Sequence, residues 1–168
     1  MDHHSVETIV RALTTAEVRY LIVGGLAVVA HGYVRFTADL DLVLDLSAAN
    51  VARAVAALEH LGYRPRAPVA FAELADAERR AQWVREKGLT VFSLYSPAHP
   101  ATEIDIFVEA PLDFDAAHRD ALRLDVASGV AALFVGLQDL LALKRRAGRS
   151  QDLVDIEKLQ MLHDGNTR

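Results

Sequence analysis

Four short features of this chain could do chemistry together: Gly24-Gly25, Asp39-Leu40-Asp41, Asp105 in TEIDIFV, and the basic stretch around Lys144. In YLIVGGLAVVAHGYVRFTADLDLVLDL an apolar run ends in two glycines, and a second run opens on two aspartates. That order reads as strand, glycine turn, short helix and strand. Strand side chains alternate, so Asp39 and Asp41 share one face, roughly 6–7 Å apart along the chain. Carboxylates at that spacing repel by about 2–3 kcal/mol at an effective dielectric of about 20. A divalent cation would turn the cost into a binding site. Asp105, between Ile104 and Ile106 in another alternating run, is the preferred third acid, with Glu103 on the same face as the alternative.

This constellation suits metal-dependent phosphoryl or nucleotidyl transfer. Asp39 and Asp41 would hold two Mg²⁺ ions about 3.5–4 Å apart, and Asp105 would complete the ligands of the second ion and help take a proton. An all-oxygen ligand set fits Mg²⁺ or Mn²⁺. Gly24 and Gly25 would let backbone N–H groups approach the phosphates of an NTP. Arg35 and Thr37 precede the acidic strand and could touch phosphate, although Arg35 could equally anchor the carboxylates. The plainer alternative makes Asp39, Asp41 and Asp45 the wet face of a half-buried strand, a position where Asp is disfavoured. His31 reads as a capping or packing residue, and Arg149 with Asp152 and Asp155 reads as an ion-pair network or part of the site. Lys144 is either a phosphate ligand or a surface lysine.

The elements that must position these residues follow from periodicity. Helices are expected over about Val6–Val18, Leu26–His31, Ser47–Leu61 and Phe71–Lys87, the last with Trp83 on its inner face. A short one is expected at Asp113–Asp120, and a closing pair at Leu137–Ala147 and Gln151–His163 joined at Gly148. Strands are expected at Tyr20–Val23, Asp39–Leu46, Leu89–Tyr95, Thr102–Val108, Leu122–Val126 and Val130–Val135, with Arg64–Pro68 a connection or edge strand. The result is an α+β class: one domain over residues 1–168, a mixed sheet with helices packed on it and a C-terminal helical pair.

Composition narrows the field. The chain has 168 residues, 52% hydrophobic and 24% charged, as a globular domain does. It has no cysteine, which excludes disulfides, thiolate zinc sites and thiol nucleophiles. No apolar run approaches the roughly 20 residues that span a bilayer, and MDHHSVETIV lacks a signal-peptide pattern, so no membrane partner and a cytoplasmic location are expected. A formal charge of −5 weighs against a general nucleic-acid binder. The cluster Lys144, Arg145, Arg146 and Arg149 could still meet a few phosphates, or form a solvated helix face.

The pattern G-G, thirteen residues, D-h-D-h and a later h-D-h strand resembles the nucleotidyltransferase superfamily with a polymerase β-like core. Within it, the chain is similar to small bacterial and archaeal proteins of the AbiEii toxin type. Their opening GGxAxxxHGxxRxTxDxDL stands here as Gly24-Gly25-Leu26-Ala27, His31-Gly32, Arg35, Thr37 and Asp39-Leu40-Asp41-Leu42. Their closing motif is similar to LLALKRRAGRSQDLVDIEKL, which carries Lys144, Arg149, Asp152 and Asp155. The resemblance runs from about Tyr20 to Leu159 with no motif between Asp45 and Leu89. Ser150-Gln151 departs from the proline and lysine often found there. The resemblance implies a mixed sheet flanked by helices and a Lys144 that reaches the triphosphate. It also implies transfer of an NMP to tRNA, a protein or a small molecule, and an antitoxin protein as a further partner. An antibiotic-modifying transferase or a catalytically silent nucleotide-binding scaffold are the other readings.

Overall fold

The computed structural model describes residues 1–164; the last four residues of the expected domain lie outside them. The first helix, α1 (His3–Thr15), starts three residues ahead of the expected span because Asp2 caps it, accepting from the Ser5 N–H at 3.1 Å. Val6, Ile9, Val10 and Leu13 form its buried stripe. Strand β1 (Tyr20–Ile22) leads directly into α2 (Gly24–Ala30), so both glycines lie in the helix's first turn rather than before it. Strand β2 (Asp39–Leu44) and helix α3 (Ala48–His60) follow.

The expected helix over Phe71–Lys87 is in fact two elements. A 3-10 turn (Phe71–Ala75) ends at Asp76, whose side chain caps α4 (Ala77–Lys87) by accepting from Glu78 and Arg79 N–H groups. An Asp that can satisfy the open N–H groups of a new helix competes with continuation of the old one. Helix α4 stops at Gly88 in the left-handed conformation.

The remaining elements are β3 (Arg64–Pro65), β4 (Val91–Tyr95), β5 (Glu103–Phe107), α5 (Phe114–Arg119), β6 (Leu122–Ala127), β7 (Val130–Phe134), α6 (Leu137–Ala147) and α7 (Ser150–Asp164). Seven strands form one mixed sheet in the order β3-β4-β5-β2-β1-β7-β6. The acidic strand β2 lies in the middle, antiparallel to β1 and parallel to β5. The fold is therefore α+β, a mixed sheet flanked by helices. Among the described residues no helix is long and apolar enough to cross a membrane.

Alternation in the central strands decides which way the acids face. Leu40, Leu42, Ile104, Ile106, Phe92 and Leu94 are all buried. The Trp83 and Phe71 rings stack on Phe92 with centroids 5.3 and 6.0 Å apart, which places α4 and the 3-10 turn on that side. The odd-numbered partners Asp39, Asp41, Ser93 and Asp105 must then project from the opposite face.

Candidate functional site

Asp41 and Asp105 are direct register partners on the parallel strands β2 and β5, and Asp39 is the partner of Glu103. Neighbouring strands lie about 4.8 Å apart, so the first pair is held close by the backbone itself. Both acids line a cavity of about 650 Å³ whose other walls are Gly24, the end of α4, the segment 107–111 and α6. Its interior is divided. Val84, Leu89, Val91, Phe107, Leu140 and Leu143 supply apolar wall, while Arg146, Arg149 and Lys144 bring cationic groups.

Burial, then the charges of Asp105 and Asp39, push the Asp41 carboxyl up to about 6, against a pull from the Gly25 N–H and Arg149. The Asp39 carboxyl is raised in the same way, by desolvation first and then by Asp105 and Glu103. Each of these acids therefore feels the others. Asp105 is steadied by the Ser93 hydroxyl, which donates to its Oδ1 at 2.5 Å across the β4–β5 register. Sequence reasoning did not single out Ser93, although its place in V-F-S-L-Y puts it on the acidic face.

The glycine turn fits tightly under these groups. Gly24 has φ +65°, and a Cβ there would fall inside the Asp41 carboxylate. A Cβ at Gly25 would overlap the Thr37 side chain and press on the Arg35 guanidinium. Gly24→Ala is therefore expected to cost about 2–3 kcal/mol, from left-handed strain and a displaced carboxylate. Urea unfolding checks it; an alanine variant within about 0.5 kcal/mol of wild type would mean that the close packing is not real.

Arg35, Thr37, Gly25 and Asp39 stand near the turn but do not line the cavity. Arg35 is committed elsewhere: its Nη2 donates to Asp155 Oδ2 at 3.0 Å. Its Nε lies 2.9 Å from Asp155 Oδ1, close enough for charge attraction but misaligned for a hydrogen bond. The carboxylate it holds is thus Asp155 on α7, and no contact joins it to Asp39 or Asp41 among the described residues. Glu103, the alternative third acid, is paired with Arg66.

Lys144 is neither a surface lysine nor an open phosphate ligand. It is 4% exposed and its Nζ lies 2.8 Å from Asp152 Oδ1 and 2.7 Å from Asp155 Oδ2. Burial raises the Asp152 carboxyl, but hydrogen bonds from Arg149 and Lys144 outweigh it and hold the group at about 2. Asp155 is lowered in the same contest, by Lys144, Gln151 and Arg35. The more accessible cation at the cavity is Arg149, 76% exposed and bonded through Nε to Asp152 at 2.8 Å. His31 ends α2 and bonds the Val135 carbonyl, a packing role.

The residues fit a hard divalent cation in kind: oxygen donors, a shared face and mutual repulsion to relieve. Among the described residues, however, no three acidic or histidine side chains are gathered into a ready-made metal site. The reason is visible in the side chains: Asp41 lies against the Gly24 backbone, Asp105 turns toward Ser93, and Asp39 is exposed at the strand's end. Neither a scan against protein-family models nor a search of curated proteins finds a match for this chain.

Proposed function

We propose that this chain is a Mg²⁺-dependent nucleotidyltransferase that moves an NMP from an NTP onto an acceptor hydroxyl. The observation that carries the reading is the in-register pair Asp41–Asp105 at the inner end of a cavity beside Gly24. Bound Mg²⁺ would supply charge neutralisation of the phosphates and acidify the acceptor hydroxyl. Asp41 and Asp105 would hold it, with Asp39 as the outer ligand. In the reaction an acceptor oxygen attacks the α-phosphorus, the bond to the β-phosphate breaks, and pyrophosphate leaves. The acceptor proton passes to a carboxylate of the pair. Arg149, at the cavity wall, is placed to bind phosphate; Lys144 acts through it, by fixing Asp152. The apolar wall between α4 and α6 offers a surface for the base.

The acceptor is tRNA, a protein or a small molecule, and a toxin restrained by an antitoxin is one setting for such a transfer. One observation favours the second reading, a catalytically silent nucleotide-binding scaffold: Asp39 does not line the cavity. The test is calorimetry with each NTP and Mg²⁺, followed by α-labelled NTP with a cell extract. Binding and label transfer with pyrophosphate release are expected. Binding without transfer selects the scaffold, and absence of any binding ends both.

A further inference from the structure

The segment ahead of β2 has a structure that the cavity does not use. Residues 33–38 belong to neither a helix nor a strand, and their exposure alternates: Val34, Phe36 and Ala38 are exposed, Tyr33, Arg35 and Thr37 half-buried. Arg35 and Thr37 lie over Gly25, whereas Val34 and Phe36 are 82% and 81% exposed. Among the described residues, no backbone N–H of 34–38 donates to another backbone group. A segment of alternating exposure, with backbone donors that no backbone group takes up and outward apolar side chains, has features to which an added strand binds; of its acceptors, the Phe36 carbonyl is taken by Arg35 Nη1 at 2.8 Å.

Helix α7 runs alongside. His31 and His163 rings meet edge to face, Gly32 lies under Leu162, and Arg35 pairs with Asp155. The inner face of α7 is used by Asp152, Asp155 and Leu159, with Leu162 at its edge; its outer face exposes Leu153, Val154 and Met161. Exposed apolar side chains on two neighbouring elements mark an interaction site rather than a solvated face.

Charge selects the occupant. The segment runs straight into Asp39, and Glu157 and Asp164 are exposed on the same helix, in a chain of net charge −5. Nucleic acid and a second, equally acidic copy are both repelled. We propose that residues 34–38, with the outer face of α7, dock a protein segment of alternating apolar and basic side chains, added as a strand along 34–38. Its seat ends at Asp39, so an occupant lies at the doorway of the acidic pair. Recognition there needs no nucleotide, and stands or falls separately from transfer.

The probes are three fluorescent peptides: Val and Phe alternating with Lys, the same with Glu in place of Lys, and the first composition with its lysines clustered. The alternating basic peptide is expected to bind the full chain and to slow hydrogen exchange at 34–38. Phe36→Ser, at an exposed site, should keep the melting temperature and weaken binding by about tenfold or more. Equal binding of the acidic or clustered peptide, no effect of Phe36→Ser, or unchanged exchange at 34–38 would overturn the proposal. So would self-association of the free chain that Phe36→Ser abolishes, which would give the surface to a second copy.

Discussion

Asp41→Asn is expected to make the protein more stable at pH 7 while removing the proposed nucleotidyl transfer. The Asp41 carboxyl is raised from an ordinary 3.8 to about 6, by burial and then by its acidic neighbours. A carboxyl raised on folding binds its proton more tightly in the native state. Its contribution to stability is thus fully present below about 3.8, lost as pH rises through about 6, and flat above. Asparagine removes that loss, so the variant should gain about 2–3 kcal/mol at pH 7. In a chain of this size the gain corresponds to roughly 5–10 °C in melting temperature. The advantage should vanish near pH 4. Turnover, in contrast, should fall by about 10²–10³-fold, the several kcal/mol that a correctly held cation contributes to such a transition state. Thermal melts from pH 4 to 8 and label transfer from NTP measure the two halves. An asparagine variant less stable at pH 7 would refute the electrostatics, and one with full turnover would remove Asp41 from the chemistry.

Lys144→Met should act in the opposite sense, destabilising the fold by about 3 kcal/mol. Breaking a buried ion pair typically costs about 3–5 kcal/mol, because the partners left behind remain buried and charged. The lower end applies here because Asp152 keeps Arg149 and Asp155 keeps Arg35. Neutralising both carboxylates along with the lysine should deepen the loss, because Arg35 and Arg149 are then left without partners. Acid should mimic the damage: Asp152 is held at about 2, so the stability it supplies is present above 3.8 and lost as pH falls toward 2. Urea midpoints of the single and triple variants decide the matter. A Lys144→Met protein with an unchanged midpoint but weaker NTP binding would return Lys144 to direct phosphate contact.

The acidic pair was legible because a strand's two-residue period is rigid: once β2 and β5 were placed, the faces of Asp41 and Asp105 were determined. Which strands become neighbours was not legible, since Asp41 and Asp105 are 64 residues apart and no local pattern encodes the β2–β5 contact. The break at Asp76 was hidden for another reason. Apolar spacing continues through it, and only the cap geometry shows that a second helix begins. Lys144 was misplaced because a basic run looks solvent-exposed until its counter-ions are seen. Asp152 and Asp155 lie at helical spacing on the next helix, which in hindsight is the signal. The reach of Arg35 to Asp155 across 120 residues had no such trace.

That long reach has a consequence for how the molecule comes into being. Arg35 leaves the ribosome well before Lys144; the carboxylates that neutralise both belong to the final helix described, α7. Until α7 emerges, α6 carries an uncompensated ammonium toward the interior and cannot settle as a wall. The nascent protein thus holds its acidic cavity unfinished until α7 has been made.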